Sequence, residues 1–572
     1  MNRRLWRSVL VAALICLLLS VVVVIAQESS PESLINAPTP KNNRLGSQST
    51  AVSMDYTYTT VITVTSASDP DDKKSRVCYR DDIPTKVVAS PCTLRRALVE
   101  ATALSDYEPS AEPILIKFNI PTTDDGYDAG LGVWTIELYA TTDLHALPRM
   151  EGNQIIVDGD TQGEIGGRTA GPKIIIQGPG AGNKDGMVIE GDDNIIRGLA
   201  FQSFETTLYI NGDDNLVEDN WFGLADDGED IHIRNELQPG DGSGSTGIDF
   251  TGGLYGTMGN TVHNNVFAGL IGVAANIEGR ENVFTANRIG TVADGTVPLQ
   301  GPFTQHPCLD DVWLGGSGIS LDGRDHQIGG PDEADGNLFA GLYLELFSMS
   351  TQPPAIKVIS SGQGYLIQNN VIGLDASQNT IGVCGRGMEF SSGPEAMQVI
   401  SNTIVESNLS AIVMNHWTLN GNTLRGNIIK RVTQWPGEQG DNTFPEDAIA
   451  YGAQVPDALR NFEPAHVTSV NGTSVSGTNG EGSPCPLCTV ELFLDDTDTI
   501  TETHQSLAVV TADANGDWTA TLPTPLADGQ GLRTMSTVPD NWTIQDLDQG
   551  STSNLSMLYV GEHKLFLPLV LR

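Results

Sequence analysis

From about residue 112 to residue 434 the chain alternates short apolar runs with polar, glycine-rich turns. One slot recurs as Asn followed two positions later by an apolar residue: Asn220-Trp-Phe, Asn265-Val-Phe, Asn287-Arg-Ile, Asn337-Leu-Phe, Asn370-Val-Ile, Asn402-Thr-Ile and Asn427-Ile-Ile. The tightest neighbours are 22 residues apart, from Asn265 to Asn287, and 25 apart, from Asn402 to Asn427. Self-similarity at that period predicts a solenoid, with larger gaps as rungs that carry outward loops. The segments 235–247, 298–312 and 349–354 lack periodicity and read as such loops. Asn at a rung corner suits a left-handed turn, and stacked Asn side chains can hydrogen-bond along the column. The Ile, Val and Phe beside them are expected to face inward.

A second phrase keeps the same register. Residues 189–196 read IEGDDNII and residues 210–217 read INGDDNLV, 21 positions later. Aligned on its Gly, this turn places an acid in one column: Asp193, Asp214, Glu281 and Asp325.

The pattern changes at both ends. Residues 27–50 read as a polar linker, and 57–72 as a strand followed by an acidic loop. Residues 90–104, SPCTLRRALVEATAL, predict a helix with Ser90 near its N-cap and Leu94, Ala97, Leu98 and Ala101 on one face. Such a helix would cover the open first rung, whose edge otherwise invites aggregation. Residues 435–465 show little pattern and predict a linker. From 466 to 556 the spacing is that of short antiparallel strands, with Asn515-Gly516 as a hairpin signal.

The strand, the loop with Cys78 and the segment CTLRRALVEAT resemble the bacterial CSLREA-type domain, although Arg96-Ala97 stands where that family has Glu-Ala. The resemblance implies a capping module over 51–111 in front of a right-handed parallel β-helix of the pectate-lyase-like kind over 112–434. Residues 466–556 resemble the small immunoglobulin-like β-sandwich that trails such solenoids. The expected fold class is therefore all-β: a right-handed β-helix with an N-terminal helical cap and a C-terminal sandwich.

Targeting and charge narrow the setting. Arg3, Arg4 and Arg7 precede an apolar run from Val9 to Ile25, which reads as a signal peptide over 1–26, with an uncleaved anchor as the alternative. No other stretch is long enough to span a bilayer. The apolar tail over 557–572, ending KLFLPLVLR, reads as an export or anchoring signal or as a docked last strand. Lys and Arg total 31 against 71 Asp and Glu, a formal charge of −40, which disfavours nucleic acid as a partner. Six cysteines remain after the signal and fall in three local groups, predicting disulfides Cys78–Cys92, Cys308–Cys384 and Cys485–Cys488 in an oxidising compartment. A redox role for Cys485-Pro-Leu-Cys488 would need a thioredoxin-like setting that the sequence lacks.

Candidate chemistry is thinner. The acidic column reads first as solvated turns whose Asp side chains cap backbone N–H groups. The alternative is a Ca²⁺ site between Asp192, Asp193, Asp213 and Asp214, since hard carboxylate oxygens in that number suit the ion; no other cofactor is expected. A polysaccharide lyase would need a basic cleft, for which Arg197, Arg234, Arg280, Arg288 and Arg324 are available without an organising motif. A glycoside hydrolase would need paired carboxylates, for which Asp226, Asp227 and Asp230 are candidates. His145, His232, His263, His306, His326 and His416 show no metal-ligand spacing. Trp221, Phe222, Trp313, Trp417 and Trp435 are candidates for sugar stacking or for packing. The expectation is a secreted or cell-surface monomer that binds polysaccharide or a cell-envelope partner, with lyase or hydrolase activity as the alternative and a purely structural stalk as a third class.

Overall fold

A computed structural model describes residues 60–560 apart from 71–77, 79–90, 108–112, 140–144, 164–167, 180–184, 233–244, 251–255, 271, 298–315, 343–352, 408–409, 433–447, 479–484, 499 and 541–545. The signal segment, the linker over 27–50 and the KLFLPLVLR tail lie outside the described residues, as do Ser90, Arg234, His306, Cys308, Trp313 and Trp435.

Each rung passes through three short strands, one in each of three sheets. One rung reads Ile195–Arg197, Leu199–Gln202 and Thr206–Ile210; the next reads Leu216–Glu218, Trp221–Phe222 and Thr246–Phe250. Stacking gives a first sheet of 11 strands, a second of 11 and a third of nine. Neighbouring rungs pair in parallel and without slippage, Leu216 opposite Ile195 and Thr261, and Phe222 opposite Phe201 and Phe267. Among the described residues, the one antiparallel pair of strands within these sheets joins Tyr127–Asp128 to Val133–Glu137. The architecture is an all-β right-handed parallel β-helix.

The register explains the repeated Asn. Asn220, Asn265, Asn287, Asn337, Asn370, Asn402 and Asn427 are all buried at the corner between first and second sheets. The backbone N–H of each of the first six donates to the side-chain oxygen of the next, at 2.9 to 3.1 Å. Each side-chain N–H₂ also donates to a carbonyl left open by the corner, as Asn287 does to Val262 at 2.9 Å. The left-handed conformation expected at these Asn residues belongs instead to the residue before: Asp219, Asn264, Ala286, Asn369 and Ser401 have φ between 52 and 58°. The corner is turned there, which frees the following Asn to point inward and serve the column. Two residues beyond each ladder Asn, Phe222, Phe267, Ile289, Phe339, Ile372, Ile404 and Ile429 are buried in one core stack. Phe222 and Phe267 lie 4.6 Å apart, nearly parallel.

The acidic phrase builds a second ladder at the corner entering the first sheet. Asn194, Asn215, Asn260 and Asn282 are buried, and the N–H of each of the first three donates to the next side-chain oxygen at 2.8 to 2.9 Å. His326 takes the next place: the Asn282 N–H donates to its Nδ1 at 3.3 Å, while its Nε2 faces the Asp322 carbonyl at 2.9 Å. Both contacts need a neutral ring with the hydrogen on Nε2, and burial pushes the His326 pKa down to about 4. The sign follows: the folded value lies below the unfolded one, so stability is complete above the unfolded pKa and lost as pH falls from about 6.5 to about 4. His326→Asn, the residue of the neighbouring rungs, is expected to flatten this acid loss, roughly 3 kcal/mol by the size of the shift. Chemical denaturation at pH 7 and pH 4.5 checks it.

Both ends are covered. The strand Thr60–Val64 pairs in parallel with Ile114–Phe118 and begins the first sheet. The helix Leu94–Tyr107 lies against these strands and Ile155–Asp158. Leu94, Ala97, Leu98 and Ala101 are buried on it, and the Thr93 hydroxyl caps its start by accepting from the Arg96 N–H. Arg95 makes a buried two-pronged pair with Asp69, at 2.7 and 2.6 Å, and donates to the Ala146 carbonyl. Cys78 and Cys92 are joined, as are Cys485 and Cys488, and Cys384 is disulfide-bonded.

At the other end the range read as a linker contributes Ile449–Tyr451, the last strand of the third sheet, and the short helix Asp457–Arg460. Three residues were too few to show periodicity. Thr246 and Gly247, inside the expected loop 235–247, belong to the strand Thr246–Phe250. Beyond lie two antiparallel three-stranded sheets, His466–Asn471, Ser474–Thr478 and Asp517–Thr521 in one, and Thr489–Asp496, Gln505–Thr511 and Gln530–Thr537 in the other. The Asn515-Gly516 turn joins one sheet to the other rather than closing a two-stranded ladder. The Asp513 side chain accepts from Asn515 and Asp517 N–H groups and fixes that turn.

Candidate functional site

A groove of about 1040 Å³ opens on the outer face of the second sheet near its N-terminal end. Its floor follows from strand alternation: Trp134, Ile136, Ile174, Ile176, Leu199 and Phe201 point into the core, so Glu137, Gln177 and Gln202 point the other way. Glu137 is opposite Gln177, and Gln177 opposite Gln202, giving one polar side chain per rung along the axis. One wall is Asp124–Asp128 with Leu131, the other Ala225–Asp227 with His232, and Ser66–Ser68 close one side.

The walls are held in place. Gln202 donates to the Leu224 carbonyl at 2.9 Å and to the Asp226 carboxylate at 2.7 Å. Arg168 donates to the Asp226 carbonyl from behind and lies 4.5 Å over the Trp221 ring. Burial lowers its pKa to about 10, still far above neutrality. Asp124 accepts from the Ser66 hydroxyl at 3.0 Å and from the Gly126 N–H at 3.1 Å. The Tyr127 ring packs 4.7 Å from Trp134. His232 meets the Ser203 hydroxyl at 3.0 Å, and burial lowers its pKa. Six carboxylates, two amides, hydroxyls and one phenol line the groove, with no Lys or Arg among the described lining residues.

Asp226 and Asp227 therefore share the groove, whereas Asp230 folds back to accept its own neighbour's N–H from Ile231. Phe222 is buried in the core, and Trp221 is buried on the outer face of the second sheet beneath Arg168, Gly171 and Gly228, so neither offers a stacking face. Trp417 is 69% exposed, in the turn after Ile412–Met414. Of the described arginines, Arg280 and Arg324 stand in parallel register on neighbouring rungs, with Arg324 3.9 Å from Asp325, whereas Arg197 pairs with Asp158 at 2.6 Å and Arg288 donates to the Ala293 carbonyl. His263 meets the Thr285 hydroxyl and His416 that of Thr418.

Backbone needs account for much of the acidic phrase. Asp192 accepts from the Asp213 N–H at 2.8 Å, and Asp213 from the Met258 N–H at 2.7 Å, one rung to the next. Asp193, Asp214, Glu281 and Asp325 have φ of 55 to 56°, a region that Asp tolerates better than most residues. Burial and then the stacked charge of Asp193 raise the Asp214 pKa. Among the described residues, three ligand atoms come within 4.8 Å of one another at Asp495–Glu502–His504 and at Asp496–Asp498–Glu502, on the sandwich. Glu502 already accepts from the Val432 N–H at 2.9 Å, and Asp495 pairs with Arg533.

No protein-family model and no curated protein matches the chain. Among solved structures it is similar to the A-module of the mannuronan C-5 epimerase AlgE4 of Azotobacter vinelandii, with 12% identity over 61% of this chain and 94% of that one and a TM-score of 0.32. It is also similar to ORF18 of Geobacillus virus E2, with 12% identity over 78% of this chain and 76% of that one and a TM-score of 0.30. A mutant tailspike protein of E. coli bacteriophage HK620, solved with a pentasaccharide, shares 13% identity over 76% of this chain and 87% of that one, with a TM-score of 0.20. Likeness at this level gives no correspondence between residues.

Proposed function

We propose that this is a secreted or surface β-helix protein that binds a neutral, hydroxyl-rich saccharide in the second-sheet groove. The observation that carries the reading is the line Glu137–Gln177–Gln202 on the floor of a groove with no Lys or Arg among its described lining residues. Carboxylates accept from hydroxyl groups and amides both donate and accept, so a ligand rich in vicinal hydroxyls can use Glu137 and Gln177, while the buried Gln202 amide is taken up by Leu224 and Asp226 and holds the wall. A polyuronate would bring its own carboxylates against six others, which argues against the lyase alternative. The same reading takes the N-terminal cap as CSLREA-type and the sandwich as immunoglobulin-like. In it the protein acts as a monomer, with export through the N-terminal segment.

The test is retention of the full chain on immobilised neutral glycans (β-1,3-glucan, β-1,4-glucan, xylan and galactomannan) beside polygalacturonate, with Ca²⁺ and with chelator. The double variant Glu137→Ala/Gln177→Ala is expected to lose at least tenfold in affinity for the retained neutral polymer, with an unchanged melting midpoint, since neither side chain is buried. Preference for polygalacturonate, or full retention by the variant, would overturn the groove assignment. Retention that disappears with chelator would bring Asp192, Asp193, Asp213 and Asp214 back as a calcium site.

A further inference from the structure

The strand Val133–Glu137 has an apolar contact at either end of the groove. Its alternation continues past its last residue. Ile136 and Leu138 are buried in the core, Thr135 and Glu137 line the groove, and Tyr139 follows them on the same outer face. Tyr139 is 52% exposed. At the other end, the turn before Val133 carries Leu131, which lines the groove wall and is more than a third exposed. Tyr127 also lines the groove, but it stands opposite Trp134 on the core-facing side, and its ring packs there.

Exposure alone would say little, since single apolar side chains are common on protein surfaces. The anchoring of Tyr139 says more. Its backbone N–H donates to Asp69 Oδ2 at 2.9 Å, and the Leu138 N–H donates to the Gln177 carbonyl at 2.9 Å. Asp69 is buried and is gripped from its other side by Arg95, on the helix that caps the solenoid. Arg95 in turn donates to the Ala146 carbonyl at 2.7 Å. Ser66, Ala67 and Ser68, which lead into Asp69, belong to the groove. The cap therefore fixes the backbone under an exposed ring at the groove's rim. A tyrosine so held has only two side-chain torsions left to order when a ligand arrives, which keeps the entropic cost of stacking low.

A pyranose offers two kinds of surface, a rim of hydroxyl groups and two ring faces. Where every hydroxyl is equatorial, the faces carry C–H bonds alone and are apolar. Glu137 and Gln177 suit the rim, and an aromatic ring suits the face. We propose that Tyr139 is the stacking platform of the saccharide groove, and that it selects gluco- or xylo-configured chains. Tyr139 lies two residues from Glu137 on one face of the sheet, so one chain can set its rim on the floor and the face of a neighbouring sugar on the ring. Leu131 gives a smaller apolar contact at the opposite end. A mannosyl residue carries an axial hydroxyl beside its anomeric carbon, which interrupts one face and weakens the stack. The inference rests on the saccharide reading of the groove and adds to it the face contact and the sugar configuration.

The experiment titrates the full chain with cellohexaose, laminarihexaose, xylohexaose and mannohexaose by calorimetry. Wild type is compared with Tyr139→Ala, Tyr139→Phe and the floor variant Glu137→Ala/Gln177→Ala. The expected result is binding of at least one gluco- or xylo-configured ligand about fivefold or more tighter than mannohexaose. Tyr139→Ala is expected to lose about tenfold on that ligand and to narrow the preference, while Tyr139→Phe stays within about twofold, because the ring face and not the hydroxyl makes the contact. Melting midpoints of both Tyr139 variants should match wild type, since the side chain is exposed. Full affinity in Tyr139→Ala, an equal loss in Tyr139→Phe, or a preference for mannohexaose would overturn the platform. The floor variant keeps the two readings apart. Loss in the floor variant with full affinity in Tyr139→Ala sinks only the platform, and the reverse sinks only the floor. A wild-type chain that binds none of the four ligands overturns both.

Discussion

Asn287→Ala is expected to destabilise the solenoid by about 4 kcal/mol, far more than an exposed Asn such as Asn119 would cost. The wild-type side chain is fully buried and works in both directions along the column. Its oxygen accepts from the Asn265 N–H at 2.9 Å and from the Asn265 side-chain N–H₂ at 3.1 Å. Its own N–H₂ donates to the Val262 carbonyl at 2.9 Å and to Asn337 at 3.1 Å. Alanine orphans the Asn265 N–H and the Val262 carbonyl, each worth roughly 1–3 kcal/mol when buried without a partner. It also leaves a void beside the Phe284–Ile289 core. Asn287→Asp separates geometry from hydrogen bonding: it keeps the acceptor for Asn265 but sets a carboxylate oxygen against the Val262 carbonyl and the Asn337 oxygen. Both variants should therefore fall well below wild type in denaturant midpoint. An aspartate variant as stable as wild type would show that filling the corner, not donating from it, is what the ladder requires.

How much of this was legible beforehand depends on whether a feature repeats. The Asn-x-Ile slot recurs because each rung presents the same corner with the same two open backbone groups, so one physical demand is written seven times. The second ladder was written in the same way, as the fourth position of Gly-Asp-Asp-Asn. There the flanking acids drew the eye to metal chemistry, while Asn194 and Asn215 beside them carried the column. His326 was harder still, since an imidazole nitrogen replaces an amide oxygen only once in that column. The groove could not be read at all. It joins Ser66, Asp124, Glu137, Gln177 and Asp226 from five separate stretches, and only Asp226 and Asp227 stood out as acids in a loop. Repetition encodes scaffold, and a site that occurs once leaves no period.

Ending the chain after residue 463 is expected to give a protein recovered chiefly as aggregate. The last rung would otherwise present open edges on all three sheets, and the sandwich occupies each of them. On the first sheet, Gly421, Leu424 and Gly426 N–H groups donate to Ser551 at 2.8 Å, Thr552 at 3.1 Å and Glu491 at 3.2 Å. On the second, Ile429 exchanges backbone bonds with Thr503 and donates to its hydroxyl at 2.9 Å, and Val432 donates to Glu502. On the third, Ala448 donates to the Thr501 carbonyl at 3.0 Å, and the Tyr451 hydroxyl to that of Thr552 at 2.7 Å. The apolar core is continuous across the junction, since Phe493, Met535, Val538, Leu547 and Leu555 belong to the same cluster as Leu424, Ile429 and Ile449. Truncation thus uncovers parallel strand edges and the end of the core together, and open edges pair with other chains. The N-terminal helix does the same service at the opposite end, so an uncapped solenoid has one sticky face and should associate end to end. Size-exclusion chromatography with light scattering of the soluble fraction reads this directly, with dimers and larger species expected and monomer depleted. A monodisperse truncated monomer with the full-length melting midpoint would mean that the last rung tolerates water at all six N–H groups, and that the sandwich is an appended module rather than the lower cap of the fold.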